Sequence, residues 1–189
     1  MSVTNPHANQ TVEFGLMAQE SVHQAAALFR SVFSDAEGDE EGSIVENVVR
    51  QLGQEIGGLD VVGYEARVSL DMIGAIFFSR MTFDKALRAF LLAPVAVATS
   101  HQGRGIGQSL IQHGLDEMAA SGVQFVATYG DPAFYSKVGF RSIAEHAVRP
   151  PFKLTQPEGW LGQSLEGNEP GIYSGRFTCV GAFSDASLW

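Results

Sequence analysis

Three glycines, Gly103, Gly105 and Gly107, alternate in the run Ser100-His101-Gln102-Gly103-Arg104-Gly105-Ile106-Gly107. The run follows a nearly continuous apolar segment and opens one with helical spacing. Such a turn can bring several backbone N–H groups to one point, and the helix behind it adds its unpaired N-terminal donors and positive dipole end. Together these make an anion site whose usual occupant is phosphate. Glycine is needed where a side chain would block the approach, or where the turn requires positive φ. The plain alternative is a tight strand-to-helix turn that binds nothing. A P-loop would end Gly-Lys-Ser/Thr, whereas this run ends Ile-Gly-Gln. A dinucleotide fold would place G-x-G-x-x-G after an early strand, and here both spacing and position differ.

Other reactive side chains are sparse. Asp35, Glu37, Asp39, Glu40 and Glu41 form a short acidic stretch. It reads either as a solvated loop or as an acidic lip that gathers a cationic amine. His101 precedes the glycine run, and packing beside that loop is preferred for it over a role as base. Cys179 is the lone cysteine, and no His/Asp pair can be tied to it as a nucleophile's partner. No group of His, Cys, Asp and Glu has metal-ligand spacing.

The elements that must position the glycine turn follow from periodicity. Thr11 to Met17 reads as a first strand. Ser21 is an acceptable N-cap for a helix with Val22, Ala25, Ala26, Leu28, Phe29, Val32 and Phe33 on one face. The acidic stretch, with Gly38 and Gly42, is expected to break that helix. A second amphipathic helix carries Ile44, Val45, Val48, Val49, Leu52 and Ile56 and stops at Gly57-Gly58. Leu59–Ser69 and Met72–Arg80 are expected to form a hairpin about Leu70-Asp71. Ala89–Thr99 is the fourth strand, interrupted by Pro94, which cannot donate to a ladder. A helix follows the glycine turn and ends at Gly122, then a short buried strand spans Val123–Thr128. Asp131-Pro132 is a strong helix start, and Gly139 closes that short helix before a strand from Phe140 to Ile143. Residues 150–170 read as an ordered loop, and 171–182 as a last strand.

Two of these segments together carry a resemblance. Gln102-Gly103-Arg104-Gly105-Ile106-Gly107 matches Q-x-x-G-x-G, which resembles the pyrophosphate loop of the GNAT superfamily of acyl-CoA-dependent N-acyltransferases. Asp131-Pro132-Ala133-Phe134-Tyr135-Ser136-Lys137-Val138-Gly139-Phe140 is similar to that family's late signature, a short helix ending Tyr-x-x-x-Gly-Phe. With Pro150-Pro151-Phe152 behind it, the wording is closest to a bacterial branch of predicted N-acetyltransferases. The resemblance covers about residues 11–145 and implies one domain over 1–189. It implies an α/β fold with a central, mostly antiparallel sheet, a fourth and fifth strand that splay apart, and helices on both faces.

The same resemblance implies the chemistry. Acetyl-CoA is the expected acyl donor, with its pantetheine arm on Val95, Ala96 and Val97 and its pyrophosphate on Gln102, Gly103, Arg104, Gly105, Ile106, Gly107 and Gln108. Tyr135 aligns with the acid that protonates the departing thiolate; a phenol with pKa near ~10 can donate to a thiolate of about 8.5. Asp131 stands where many relatives have a capping asparagine, and is expected to be mainly structural with a CoA contact. Lys137 faces either CoA phosphates or solvent. Relatives that acetylate lysine often carry a glutamate on the fourth strand, but here the stretch is Phe90-Leu91-Leu92-Ala93. That departure leaves the base unassigned, with the acids from Glu37 to Glu46 or a water relay as substitutes.

Bulk composition sets limits on partners. A length of 189 residues with 45% hydrophobic content suits a globular domain with a real core. A formal net charge of −9 disfavours nucleic acid and anionic membrane. No apolar run approaches the ~18 residues of a membrane span, and the amino terminus lacks the layout of a signal peptide. A lone cysteine is consistent with a reducing cytoplasm. The expected partner is a small-molecule or peptide amine, with a homodimer also open. Two rival functions stay open: a non-catalytic acyl-CoA-binding module on the same fold, and an interaction module that docks a basic partner through its acidic stretch.

Overall fold

The computed structural model describes residues 11–167 and 173–189. Its strands are β1 (Glu13–Leu16), β2 (Val61–Val68), β3 (Asp71–Phe83), β4 (Ala89–Val97), β5 (Phe125–Tyr129), β6 (Arg141–Ser142), β7 (Val148–Arg149), β8 (Trp160–Ser164) and β9 (Gly175–Thr178). Its helices are α1 (Val22–Glu37), α2 (Asp39–Gln54), α3 (Ile106–Ala120) and the single-turn α4 (Pro132–Tyr135). The strands run β1-β2-β3-β4-β5-β8-β6 across the sheet, with β9 joining the far end of β3 and pairing β7. β1 to β4 pair antiparallel in chain order, β5 lies parallel to β4, and β8 is antiparallel to both β5 and β6.

Adjacent residues of a strand point to opposite faces, so a sheet covered on both sides needs nearly continuous apolar strands. β3 and β4 meet that need. Ala75, Phe77, Ala89 and Leu91 pack with Ala25, Ala26, Phe29, Val49 and Leu52 of α1 and α2. Ile76, Phe78, Phe90 and Leu92 pack with Leu110, Ile111, Leu115 and Met118 of α3. The mixed sheet with helices on both faces is the α/β fold expected.

Several expectations are corrected. The acidic stretch is not a loop: α1 runs through Glu37 and α2 begins at Asp39, with Gly38 at φ +103° as the whole break. Asp39, Glu40 and Glu41 occupy the first turn of α2, where unpaired N–H groups and the helix dipole favour negative charge. Gly42 is no breaker either. It is buried inside α2, where a Cβ would collide with Ser34 Oγ and lie 2.7 Å from the Arg30 carbonyl oxygen, so its smallness lets α1 and α2 touch. Ser21 does not cap α1 with its side chain; a 3-10 turn precedes the helix, and Ser21 Oγ accepts a hydrogen bond from Arg67 at 3.2 Å. The hairpin turns one residue earlier than expected, at Ser69-Leu70, with Ser69 at φ +54°.

The region expected to be loop after Pro150 contains β8, which inserts between β5 and β6 and buries Trp160 and Leu161. Flanking prolines and glycines hide this strand from a periodicity argument. The expected last strand over 171–182 shrinks to Gly175–Thr178, followed by a 3-10 turn at Gly181–Phe183; residues 171 and 172 lie outside the described residues. Among the described residues no helix is long and apolar enough to cross a membrane.

Candidate active site

β4 and β5 pair over only three rungs, Ala89↔Phe125, Phe90↔Val126 and Leu91↔Ala127. Beyond them β4 stays with β3 as far as Val97, while β5 continues to Tyr129 alongside β8. Pro94 lies just past the parting, and the β3–β4 register shifts there, between Ile76 and Phe78. Proline's missing N–H accounts for an irregular rung at that point. Among the described residues, the edge of β4 from Ala93 to Val97 therefore has no strand partner on the β5 side.

The chain leaves β4 through a 3-10 turn at Thr99–His101 and enters the glycine run. The Gln102 side-chain amide donates to the Val97 carbonyl at 2.9 Å, tying the run back to the strand. Gly103 and Gly105 adopt φ +73° and +76°, the left-handed region, and a Cβ on either would meet open space. Gly105 is the N-cap of α3, and the helical bonding starts with Ser109 N–H donating to the Gly105 carbonyl at 3.0 Å. The N–H groups of Ile106, Gly107 and Gln108 thus have no acceptor within the helix. At Gly107 a Cβ would sit 3.3 Å from Val97 and 3.4 Å from Phe134, so the helix start is seated closely between β4 and α4.

α4 begins as expected, with Asp131 Oδ1 accepting from the Ala133 N–H at 2.8 Å and Pro132 in the first helical position. It presents Tyr135, whose ring packs edge-on to Phe134 and Phe140 at centroid distances of 5.1 and 5.7 Å. The ring also lies over Gly130, where a Cβ would approach Tyr135 Cε2 to 2.7 Å. Burial raises the phenol above its ordinary pKa of 10.0, and a side-chain hydrogen bond with Thr128 opposes that rise. Thr128 is fully buried on β5 and its hydroxyl donates to the Leu92 carbonyl at 2.9 Å.

These parts meet in one cleft of about 680 Å³. Val95, Ala96 and Val97 form one wall; Gln102, Gly103, Gly105, Ile106, Gly107 and Gln108 form its glycine end; Tyr135 faces it from α4. Arg104 is exposed and Asp131 caps α4 from outside, so neither belongs to the cleft wall. The remaining wall comes from the C-terminal end of α1, with Val32, Phe33, Ala36 and Glu37, and from Phe134. Val32 and Phe33, which helical spacing puts on the apolar face of α1, pack against the core and also border the cleft, and nothing in their spacing marks that second role. Glu37, His101, Tyr135 and Lys137 are the titratable groups lining it. Asp35 bridges two sides of the site by accepting from the Thr99 hydroxyl at 2.7 Å.

Cys179 lies elsewhere, packed against the α1/α2 side of the core, and burial pushes its thiol up to about 12. A protonated, buried thiol is a poor nucleophile. Among the described residues no cluster of His, Cys, Asp and Glu could hold a metal ion.

The chain matches the acetyltransferase (GNAT) domain family over residues 13–143. It is 35% identical over 124 residues to an uncharacterised N-acetyltransferase, YhbS, of Escherichia coli strain K12, covering 65% of this chain and 70% of that protein. Its fold superposes on the structure of the Escherichia coli GNAT family N-acetyltransferase YhbS in complex with CoA, with a TM-score of 0.79, 24% identity and 97% of each chain covered. It also superposes on a Brucella melitensis GNAT family acetyltransferase in complex with acetyl-CoA, with a TM-score of 0.68 and 20% identity over 93% of this chain and 99% of that one. A family match over residues 13–143, spanning both the glycine turn and the Tyr135 helix, means that the chain belongs to the GNAT acetyltransferases.

Proposed function

We propose that the protein, acting as one domain over its whole length, transfers the acetyl group of acetyl-CoA directly to a primary amine, and that the amine is small or cationic. The observation that carries this reading is that one cleft joins an unpaired strand edge, a glycine-lined helix start and a half-buried phenol. The donor set fits acetyl-CoA: open space at Gly103 and Gly105 admits a pyrophosphate, and the free N–H groups of Ile106, Gly107 and Gln108 suit its charge. Gln102 holds that turn on the strand and Arg104 adds positive charge at its exposed side. Backbone groups of Val95, Ala96 and Val97 offer the pantetheine arm a ladder-like edge. Acetyl-CoA supplies an activated thioester whose sulfur leaves as a thiolate. Tyr135 donates its proton to that sulfur, and Asp131 serves by capping the turn that presents Tyr135.

β4 carries Leu91 and Leu92, both buried, where a carboxylate base would otherwise stand. Glu37 is the carboxylate on the cleft wall, and Asp35, Asp39, Glu40 and Glu41 flank it in the sequence. That field draws in an ammonium group. The amine must still lose a proton, at about 4.6 kcal/mol for a lysine-like group and about 1.4 kcal/mol for an α-amine at pH 7. The absence of a β4 base therefore favours an acceptor of lower pKa.

Calorimetric titration with acetyl-CoA, beside a Gly105→Glu variant shown to be folded by circular dichroism, tests the first half. The expectation is micromolar binding, weakened by at least about tenfold in the variant, or 1.4 kcal/mol. A folded wild-type protein that binds no acetyl-CoA overturns the reading. A screen of amines with Tyr135→Phe as the chemical control tests the second half.

A further inference from the structure

We infer that the acceptor is a primary amine with a single positive charge and an apolar body, held on the C-terminal end of α1; this rests on the reading of the cleft as an acetyl-CoA site. The β4 edge, the glycine turn and Tyr135 account for the donor. The remaining wall is the stripe of Val32, Phe33, Ala36 and Glu37. These residues fall at i, i+1, i+4 and i+5, so they share one face of the helix. Val32 and Phe33 are half-buried, and Glu37 is exposed one turn beyond Phe33, about 6 Å along the axis. The stripe therefore passes from apolar to anionic over the length of one small molecule.

Charge sets the number of ammonium groups the stripe can take. Among the described residues, Glu37 is the one carboxylate lining the cleft. The acids near it are engaged elsewhere. Asp35 accepts from the Thr99 hydroxyl at 2.7 Å, and Glu46 holds Arg30 and Arg50 at 2.9 and 2.6 Å. Asp39, Glu40 and Glu41 occupy the first turn of α2. Because α1 ends at Glu37, the carbonyls of Asp35, Ala36 and Glu37 find no donor within that helix, and its negative dipole end adds to the carboxylate. An ammonium has three donors and no acceptor, which suits that set. A second ammonium finds no second carboxylate on the wall, and Lys137 there repels it. A polycation thus leaves charge unmatched, whereas an amine without a body leaves Val32 and Phe33 facing water.

The test titrates amines calorimetrically into the protein saturated with CoA, which lacks the acetyl group and so permits binding without turnover. Phenylalaninamide and glycinamide carry the same α-amine and differ in the apolar body; spermidine carries several charges. Phenylalaninamide should bind at least about tenfold more tightly than glycinamide, the effect of burying an aromatic side chain. It should also bind more tightly than spermidine. In folded Phe33→Ala, phenylalaninamide should fall to within about twofold of glycinamide, whose own affinity stays as in the wild type. Val32→Thr, of nearly the same shape, should weaken phenylalaninamide alone, and carries the readout if the alanine variant does not fold. Glu37→Gln should weaken both amides by about two- to fivefold. Equal affinity for the two amides, tightest binding of spermidine, binding of none of the three, or a folded Phe33→Ala that keeps the preference would each overturn the inference while leaving acetyl-CoA binding intact. A protein that binds no acetyl-CoA overturns the transferase reading and the inference together.

Discussion

A phenol that is pushed above its ordinary pKa by burial stays protonated at neutral pH, which is the state a proton donor needs. Loss of that donor affects the step in which sulfur leaves, not the binding of the donor molecule. Tyr135→Phe is therefore expected to lower kcat by about 10²–10⁴-fold with acetyl-CoA affinity unchanged, measured by steady-state kinetics and calorimetry. Gly130 gives an independent handle on the same group. A methyl there would come within 2.7 Å of the ring, and the neighbour that must yield is Tyr135 itself. Gly130→Ala should reduce kcat by at least about tenfold while the phenol remains in the chain, because small misplacements of a reacting group are costly. Equal rates for Gly130→Ala and wild type would mean that the ring's position over Gly130 has no part in catalysis.

The elements contribute by holding walls of the cleft in register. α1, whose C-terminal end lines the cleft, lies close on α2, and Gly42 makes that approach possible. Gly42→Ala should cost about 1–3 kcal/mol by overpacking and weaken acetyl-CoA binding as the Val32–Glu37 wall shifts; thermal melts and calorimetry read both. Much of this frame is legible in the residues. The glycine turn, the Asp131 cap and the Pro94 interruption each depend on local backbone chemistry, and each stands where the sequence places it. The joint between α1 and α2 is less legible, because the charges that look like a loop are also the ones a helix N-terminus favours. β8 is hidden for a different reason. It is a five-residue strand stabilised by burial between β5 and β6, and no local signal announces a partner that arrives from elsewhere in the chain. The α1 wall of the site is likewise a tertiary fact: Val32 and Phe33 have the spacing of core residues, and only the parting of β4 from β5 turns their surroundings into a cavity.

At the scale of the molecule, the C-terminal segment closes the fold on the α1/α2 side. β9 extends β3, Trp160 meets Trp189 edge-on at 6.1 Å, and the Trp189 carbonyl accepts from the Thr155 N–H at 3.0 Å. Cys179 sits inside this closure, and its burial gives a stability that depends on pH. Its thiol is raised from 9.0 to about 12 in the folded protein. Above pH 9 the unfolded chain has released that proton and the folded chain still holds it, so the unfolded state binds fewer protons. Stability must then fall as pH rises, by up to about 1.4 kcal/mol per pH unit from this one group. Tyr64 and Tyr135 act in the same direction, each being raised by burial. Urea unfolding measured from pH 7 to 11 should show a plateau followed by a decline that begins near pH 9, before any tyrosine of ordinary pKa ionises. Cys179→Ala should move the onset upward towards pH 10, leaving the part due to the tyrosines. A decline identical in the two proteins would place the thiol in contact with solvent and remove it from the packing of the C-terminal closure.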